Sequence, residues 1–247
     1  MNQRPVAIVT NASDYVGPAL TRKLARAGFD LVLGDPDDDL VDEVEELGVG
    51  CWIADNVKNL AEPTAAPRLV DLAMDAYDRI DSVVFFGGEV VTGSFMKSSD
   101  EDLERVLKGN IEAVYRPLRV FLPPLVEQGS GQVLAITSAS ALRVTPGAPL
   151  YSATRAAANM LVRNVAAEVA KSGVQVNAVG TNFMDFPGFL AASGANDPEV
   201  RRHVEAMTPM GRLGSMEEFA HFCMAFLDGT ARFHTGQTVG FDGGWSA

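Results

Sequence analysis

With 247 residues and 47% hydrophobic content, the chain is long enough to bury one large core, and one domain over residues 1–247 is expected. A net charge of -12 at pH 7 and a pI near 4.6 argue against a sequence-independent phosphate binder, because nucleic acids are held mainly by Lys and Arg neutralising phosphates. The start, MNQRPVAIVTN, shows no charged region followed by a long apolar stretch, and no apolar run approaches bilayer length. A soluble, cytoplasmic protein with no nucleic-acid and no membrane partner is therefore expected. Cys51 and Cys223 cannot form a disulfide framework and read as core filler in a reducing compartment.

In chain order, short β-branched runs alternate with segments of helical period. Strands are predicted at 5–10, 29–34, 50–54, 81–86, 132–138 and 174–180. Helices are predicted between them at 17–28, 38–47, 66–79, 99–128 and 150–172. Residues 181–196 form the one long irregular stretch, followed by helices near 197–206 and 215–228 and a last strand near 237–241. Strand alternating with helix is the pattern of βαβ units, in which a parallel sheet is covered on both faces. The expected fold is therefore α/β, a Rossmann-like three-layer doubly wound parallel sheet. In such a sheet ligands bind beyond the carboxyl ends of the strands. That rule gathers Thr10 to Gly17, Phe85 to Gly88, Ser138 and Gly180 to Met184 on one rim.

A turn that cradles a dinucleotide needs glycines where backbone approaches pyrophosphate, because a side chain would occupy that volume. Here the first strand–helix turn reads Thr10-Asn-Ala-Ser-Asp-Tyr15-Val-Gly17. It resembles the T-G-x3-G-x-G turn of the short-chain dehydrogenases, with Asn11 and Tyr15 at the first two glycine positions. An inward phenol there would fill the place of the phosphates. Strand four ends Phe85-Phe86-Gly87-Gly88 where that family carries N-N-A-G. Asp35 and Asp37 to Asp39 set four carboxylates beyond strand two, which either repel phosphates or favour a helix N-terminus. No bound cofactor is expected, and His203, His221 and His234 lack metal-ligand spacing.

Ser138, Tyr151 and Arg155 stand as S-x12-Y-x3-R. Residues i and i+4 of a helix share a face, so Arg155 can lie against the Tyr151 phenol, with the serine on a strand end opposite. A phenol is a poor base at neutral pH; an adjacent fixed cation favours its phenolate, and arginine keeps its own proton. With Tyr15 in the first turn, this spacing resembles the halohydrin dehalogenases, relatives of the short-chain dehydrogenases, over essentially the whole chain and most closely their type G branch. The resemblance implies a cofactor-independent lyase that interconverts vicinal haloalcohols with epoxides plus halide, and opens epoxides with azide, cyanide or nitrite. It assigns Tyr151 as general base, with Ser138 and Arg155 as its partners. It also implies a halide and substrate pocket of Tyr15, Thr181, Asn182, Phe183, Met184 and Phe186, and a homotetramer.

Other placements stay open. Asn110 resembles the structural asparagine of the dehydrogenases and is expected to bond main-chain groups. Trp245 stands either at a neighbouring subunit's site or as an ordinary surface or core aromatic. Two competing functions are an NAD(P)-dependent alcohol dehydrogenase or reductase with a degenerate turn, and a catalytically dead fold used for binding.

Overall fold

The computed structural model describes residues 4–247. Its centre is a seven-stranded parallel sheet built from β1 (Val6–Val9), β2 (Asp30–Gly34), β3 (Cys51–Ala54), β4 (Ser82–Phe86), β5 (Gly131–Ser138), β6 (Val174–Thr181) and a last strand, Thr238–Phe241. The helices between the strands are α1 (Gly17–Arg26), α2 (Asp38–Glu46), α3 (Ala65–Tyr77), α4 (Asp100–Leu107), α5 (Ala113–Gln128) and α6 (Pro149–Val169). Strand order runs β3-β2-β1-β4-β5-β6 and then the last strand, so it reverses direction between β1 and β4 and leaves a crevice at their carboxyl ends.

Successive strand residues point to opposite faces, and that alternation divides the core. Ile8, Val32, Val83 and Phe85 pack in the layer formed with α3, α5 and α6, whereas Ala7, Val9, Leu31, Leu33, Val84 and Phe86 pack on the opposite face with α1 and α2. Both faces are covered, which is why the strands read as nearly continuous apolar runs. Among the described residues no helix is long and apolar enough to cross a membrane.

The structure departs from the sequence expectation in two places. The helical stretch predicted over 99–128 is interrupted by a π-helical turn at Lys108–Glu112 that carries Asn110 into the interior. The stretch 181–196 is not irregular throughout: β7 (Met184–Asp185) pairs with β8 (Gly214–Ser215), and α7 (Pro187–Ser193) follows, with Pro187 supplying a φ already suited to a first helical turn. These elements are too short to show a period. The chain then runs through α8 (Pro198–Glu205) and α9 (Met216–Met224) into the last strand, β9.

Helix α9 backs the candidate site, because its Phe219 lies against the first turn and Cys223 is fully buried below. A capping box starts it: Ser215 Oγ accepts from Glu218 N, and Glu218 accepts from Ser215 N, each at 3.1 Å. Arg212 forks onto the same carboxylate at 2.8 and 2.7 Å. The Arg212 guanidinium, helped by the Ser215 backbone N–H, holds the Glu218 carboxyl at about 2, below its ordinary 4.5. A carboxyl depressed on folding stabilises the native state above its unfolded value, and that contribution fades as pH falls through the folded value. Glu218→Gln is therefore expected to melt below the parent at neutral pH, with the gap narrowing between pH 4.5 and about 2. Thermal melts across that range check this; a gap independent of pH would contradict it.

Candidate active site

The crevice at the switch point opens into a cavity of about 1370 Å3 lined by Asn11, Tyr15, Phe86 to Glu89, Ile136 to Ser138, Tyr151, Arg155 and Thr181 to Phe186. The carboxyl ends of β1, β4, β5 and β6 supply these residues, and the first turn of α6 supplies Tyr151 and Arg155. The predicted catalytic and pocket residues are all brought to this one cavity.

Ser138 ends β5 and is buried, and its Oγ accepts from Ser140 N at 3.2 Å and Ser140 Oγ at 2.9 Å. Two accepted bonds fill its lone pairs and leave its own hydrogen to donate. Tyr151 is half-buried, and its hydroxyl makes no hydrogen bond among the described residues. Arg155 lies one turn on, with Cζ 5.4 Å from the Tyr151 ring centre. It is 5% exposed, and Nη2 donates to Gly87 O at 2.8 Å while Nε and Nη1 are buried without a partner. A Cβ at position 88 would stand 1.7 Å from Arg155 Nη2, so Gly88 makes the room that the guanidinium occupies. The carboxylates on the cavity wall are committed elsewhere: Asp14 to Lys58, Glu89 to Arg105 and Asp185 to Arg201. Asn110 braces this region as expected, accepting from Glu89 N and donating to Glu89 O and to Thr154 Oγ1.

The first turn keeps a glycine-like path without the glycines. Asn11 and Tyr15 both adopt left-handed φ, 49° and 51°. The Tyr15 ring packs edge-on to Phe86 and Phe186 at 5.9 and 4.7 Å and against Phe219 at 5.8 Å. Its hydroxyl donates to Thr181 Oγ1 at 2.7 Å. Burial pushes its ionisation well above the ordinary phenol value, only partly opposed by the Thr181 bond, so Tyr15 is a donor and not a base. This side chain spans from the first turn to the end of β6. The ring narrows the crevice between the first turn and β6, along which a nicotinamide dinucleotide would lie, and leaves the cavity beyond it open. Asp35, just beyond β2, accepts from Asn56 N at 2.6 Å and Val57 N at 2.9 Å. Asp38 and Asp39 fall in the first turn of α2, the helix-terminus alternative.

In the loop after β6 two acceptors are already engaged. Asn182 Oδ1 accepts from Phe183 N at 3.0 Å, and the Tyr15 hydroxyl is already given to Thr181. Met184 is buried in the core face shared with Ile136 and Phe219. Trp245 lines this same chain's cavity. Sequence reading missed the reason for Gly88 and missed Arg143, which touches Trp245 across 102 residues and so has no local spacing to betray it. Burial also pushes both thiols up, Cys51 to about 11 and Cys223 further, consistent with core filler.

Comparison with known proteins bears on what this site does. The sequence model of the family described as enoyl-(acyl carrier protein) reductase matches residues 12–246. The 3-oxoacyl-[acyl-carrier-protein] reductase FabG of Thermotoga maritima is 26% identical over 97% of this chain and 96% of its own length. The 2,5-dichloro-2,5-cyclohexadiene-1,4-diol dehydrogenase LinX of Sphingobium indicum is 26% identical over 98% and 96%. A solved structure of ElxO with NADP bound superposes with a TM-score of 0.86 at 18% identity, covering 98% of this chain and 99% of that one, which bears out the Rossmann-like fold. The matching family and these full-length relatives are reductases and dehydrogenases, and this overturns the expectation of a halohydrin dehalogenase, a lyase making epoxides and halide. The resemblance in the three-residue motif and the Tyr15 turn pointed to a branch that the comparisons do not support, because such motifs occupy few positions while the match extends along the chain. With the family match extending over residues 12–246, this chain belongs to the short-chain dehydrogenase/reductase family.

Proposed function

We propose that this chain is an oxidoreductase that acts at the hydroxyl or carbonyl group of a small organic substrate, as one Rossmann-like domain over 1–247. The observation that supports this most directly is the pairing of an unpartnered Tyr151 hydroxyl with a Ser138 hydroxyl free to donate, in a cavity reached by the Arg155 charge. A carbonyl oxygen placed between them accepts from Ser138 Oγ and Tyr151 Oη. Tyr151 delivers its proton as the oxygen gains electrons, and in the reverse sense it takes the proton of an alcohol. Arg155 stabilises the phenolate left behind without changing its own protonation. Tyr15, Thr181, Asn182, Phe183, Met184 and Phe186 form the facing wall and shape the substrate. A nicotinamide dinucleotide such as the NADP bound by ElxO would supply or take the hydride from the cavity that Tyr15 narrows.

The first test combines cyclohexanone or acetophenone with NADH or NADPH and follows nicotinamide absorbance. Tyr151→Phe is expected to lower kcat by about 10²–10⁴, the usual contribution of a positioned acid or base. Turnover by that variant at the parental rate would refute the assignment, as would the absence of turnover with both cofactors.

Tyr15→Gly suits the left-handed backbone at that position and removes the ring. Nicotinamide fluorescence titration should show binding tightened by at least about tenfold, equivalent to roughly 1.4 kcal/mol. Unchanged affinity would mean that the ring does not obstruct the groove. Tyr15→Phe, which keeps the ring and loses the Thr181 bond, should gain less.

We further propose a cytoplasmic homotetramer. The free thiols suit a reducing compartment. Large apolar side chains stand exposed on α4 (Leu103, Leu107), α5 (Tyr115) and α6 (Met160), and also at Phe233. Sedimentation should give about four times the 26.3 kDa chain mass, the closed dihedral assembly common for soluble enzymes; a monomer mass would contradict it.

A further inference from the structure

The C-terminal turn is built to hold one side chain at the cavity. Asp242, buried, accepts from Gly244 N at 3.0 Å and Ser246 N at 3.1 Å. Gly243 and Gly244 take left-handed φ of 63° and 85°, which folds the chain back so that Trp245 joins the cavity wall. The indole meets Phe183 at 5.7 Å, Phe183 meets Phe189 at 6.0 Å, Phe189 meets Phe186 at 6.4 Å and Phe186 meets Tyr15 at 4.7 Å. Trp245 thus ends a row of rings that begins in the first turn.

The outer end of that row is closed by an arginine. Arg143 Cζ stands 4.8 Å from the centre of the Trp245 ring, and Nη1 donates to Trp245 O at 2.5 Å. Arg143 is exposed and makes no ion pair among the described residues, so water and the indole compete for its charge. Its segment, 142–147, lies between Ser138 and the helix that carries Tyr151. The far end of that segment is pinned where Gly93 N donates to Gly147 O at 2.6 Å. Contact with both the ring face and the carbonyl fixes the indole at two points. A planar guanidinium does both in one fixed geometry, where an ammonium offers only a point charge on a flexible stem.

We propose that Arg143 is a positioning residue of the active site, clasping Trp245 so that the indole forms a fixed wall of the substrate pocket. Arg143 touches no reacting atom. It acts on substrate affinity through Trp245, and the kinetic part of this proposal rests on the oxidoreductase function proposed above.

The chain has two tryptophans, so in a Trp52→Phe background, whose missing ring is half-exposed on edge strand β3, emission reports Trp245 alone. Arg143→Ala is expected to shift that emission to the red and increase quenching by acrylamide, and Arg143→Lys should restore part of the parental spectrum. With cyclohexanone as the probe substrate, Arg143→Ala should raise KM by about two- to fivefold, the range a partly exposed cation–π contact accounts for, while kcat moves less. A purely structural role would instead lower melting temperature and kcat together. An unchanged spectrum in Arg143→Ala, or a fall in kcat as large as the rise in KM, would overturn the proposal. If no carbonyl compound is turned over, the functional proposal fails, while a red shift still supports the clasp.

Discussion

The bond from the Tyr15 hydroxyl to Thr181 Oγ1 decides how the crevice is divided, because it ties the first turn to the end of β6 across the switch point. The turn accepts strain to make it. Two residues with side chains sit in left-handed backbone, at roughly 1–2 kcal/mol each. Against that stand three aromatic contacts to Phe86, Phe186 and Phe219, at about 0.5–1.5 kcal/mol each beyond burial, and a satisfied hydrogen bond of similar size. The terms are comparable, so the packing offsets the backbone strain. Each contact comes from a different element, and Tyr15 therefore registers α9, the end of β4 and the loop after β6 against one another.

The same cavity holds a second phenol in a different setting. Tyr15 is enclosed by apolar rings and committed as a donor, and burial keeps its proton in place. Tyr151 is half-buried, has a guanidinium against its ring, and its hydroxyl has no hydrogen-bond partner among the described residues. Two chemically identical groups thus stand in different environments, and the proposed chemistry uses only the second for proton transfer. Ser138 belongs with the second, since Ser140 fills its acceptor positions and leaves its hydrogen to face a ligand.

Much of this was legible in the sequence, for identifiable reasons. The strands showed because burial on both faces makes their runs apolar, and the meeting of Ser138, Tyr151 and Arg155 at one cavity could be read because one strand end and one helical turn fix their spacing. The inward fate of Tyr15 could be read because its turn is short and its backbone path is set by the neighbouring elements. What failed to show was non-local or brief. Nothing near Asp35 announces that its carboxylate staples residues 56 and 57, and β7, α7 and the π-turn around Asn110 are shorter than any period that could reveal them. The reaction was misread for another reason: a constellation that moves a proton at oxygen is compatible with more than one chemistry, and only similarity along the whole chain separated them.

Arginine at position 155 also has a structural correlate that explains its neighbours. A guanidinium is bulkier than an ammonium, and the Gly87-Gly88 pair both gives it space and accepts one of its bonds. Yet Nε and Nη1 stay buried without acceptors, and no carboxylate is paired with this charge among the described residues. That charge lies at the cavity wall, against the Tyr151 ring. On the proposed chemistry the missing negative charge is made during turnover, when Tyr151 gives up its proton beside it. The cation already stands beside the ring when that proton moves, so no charged group has to be brought in at that moment.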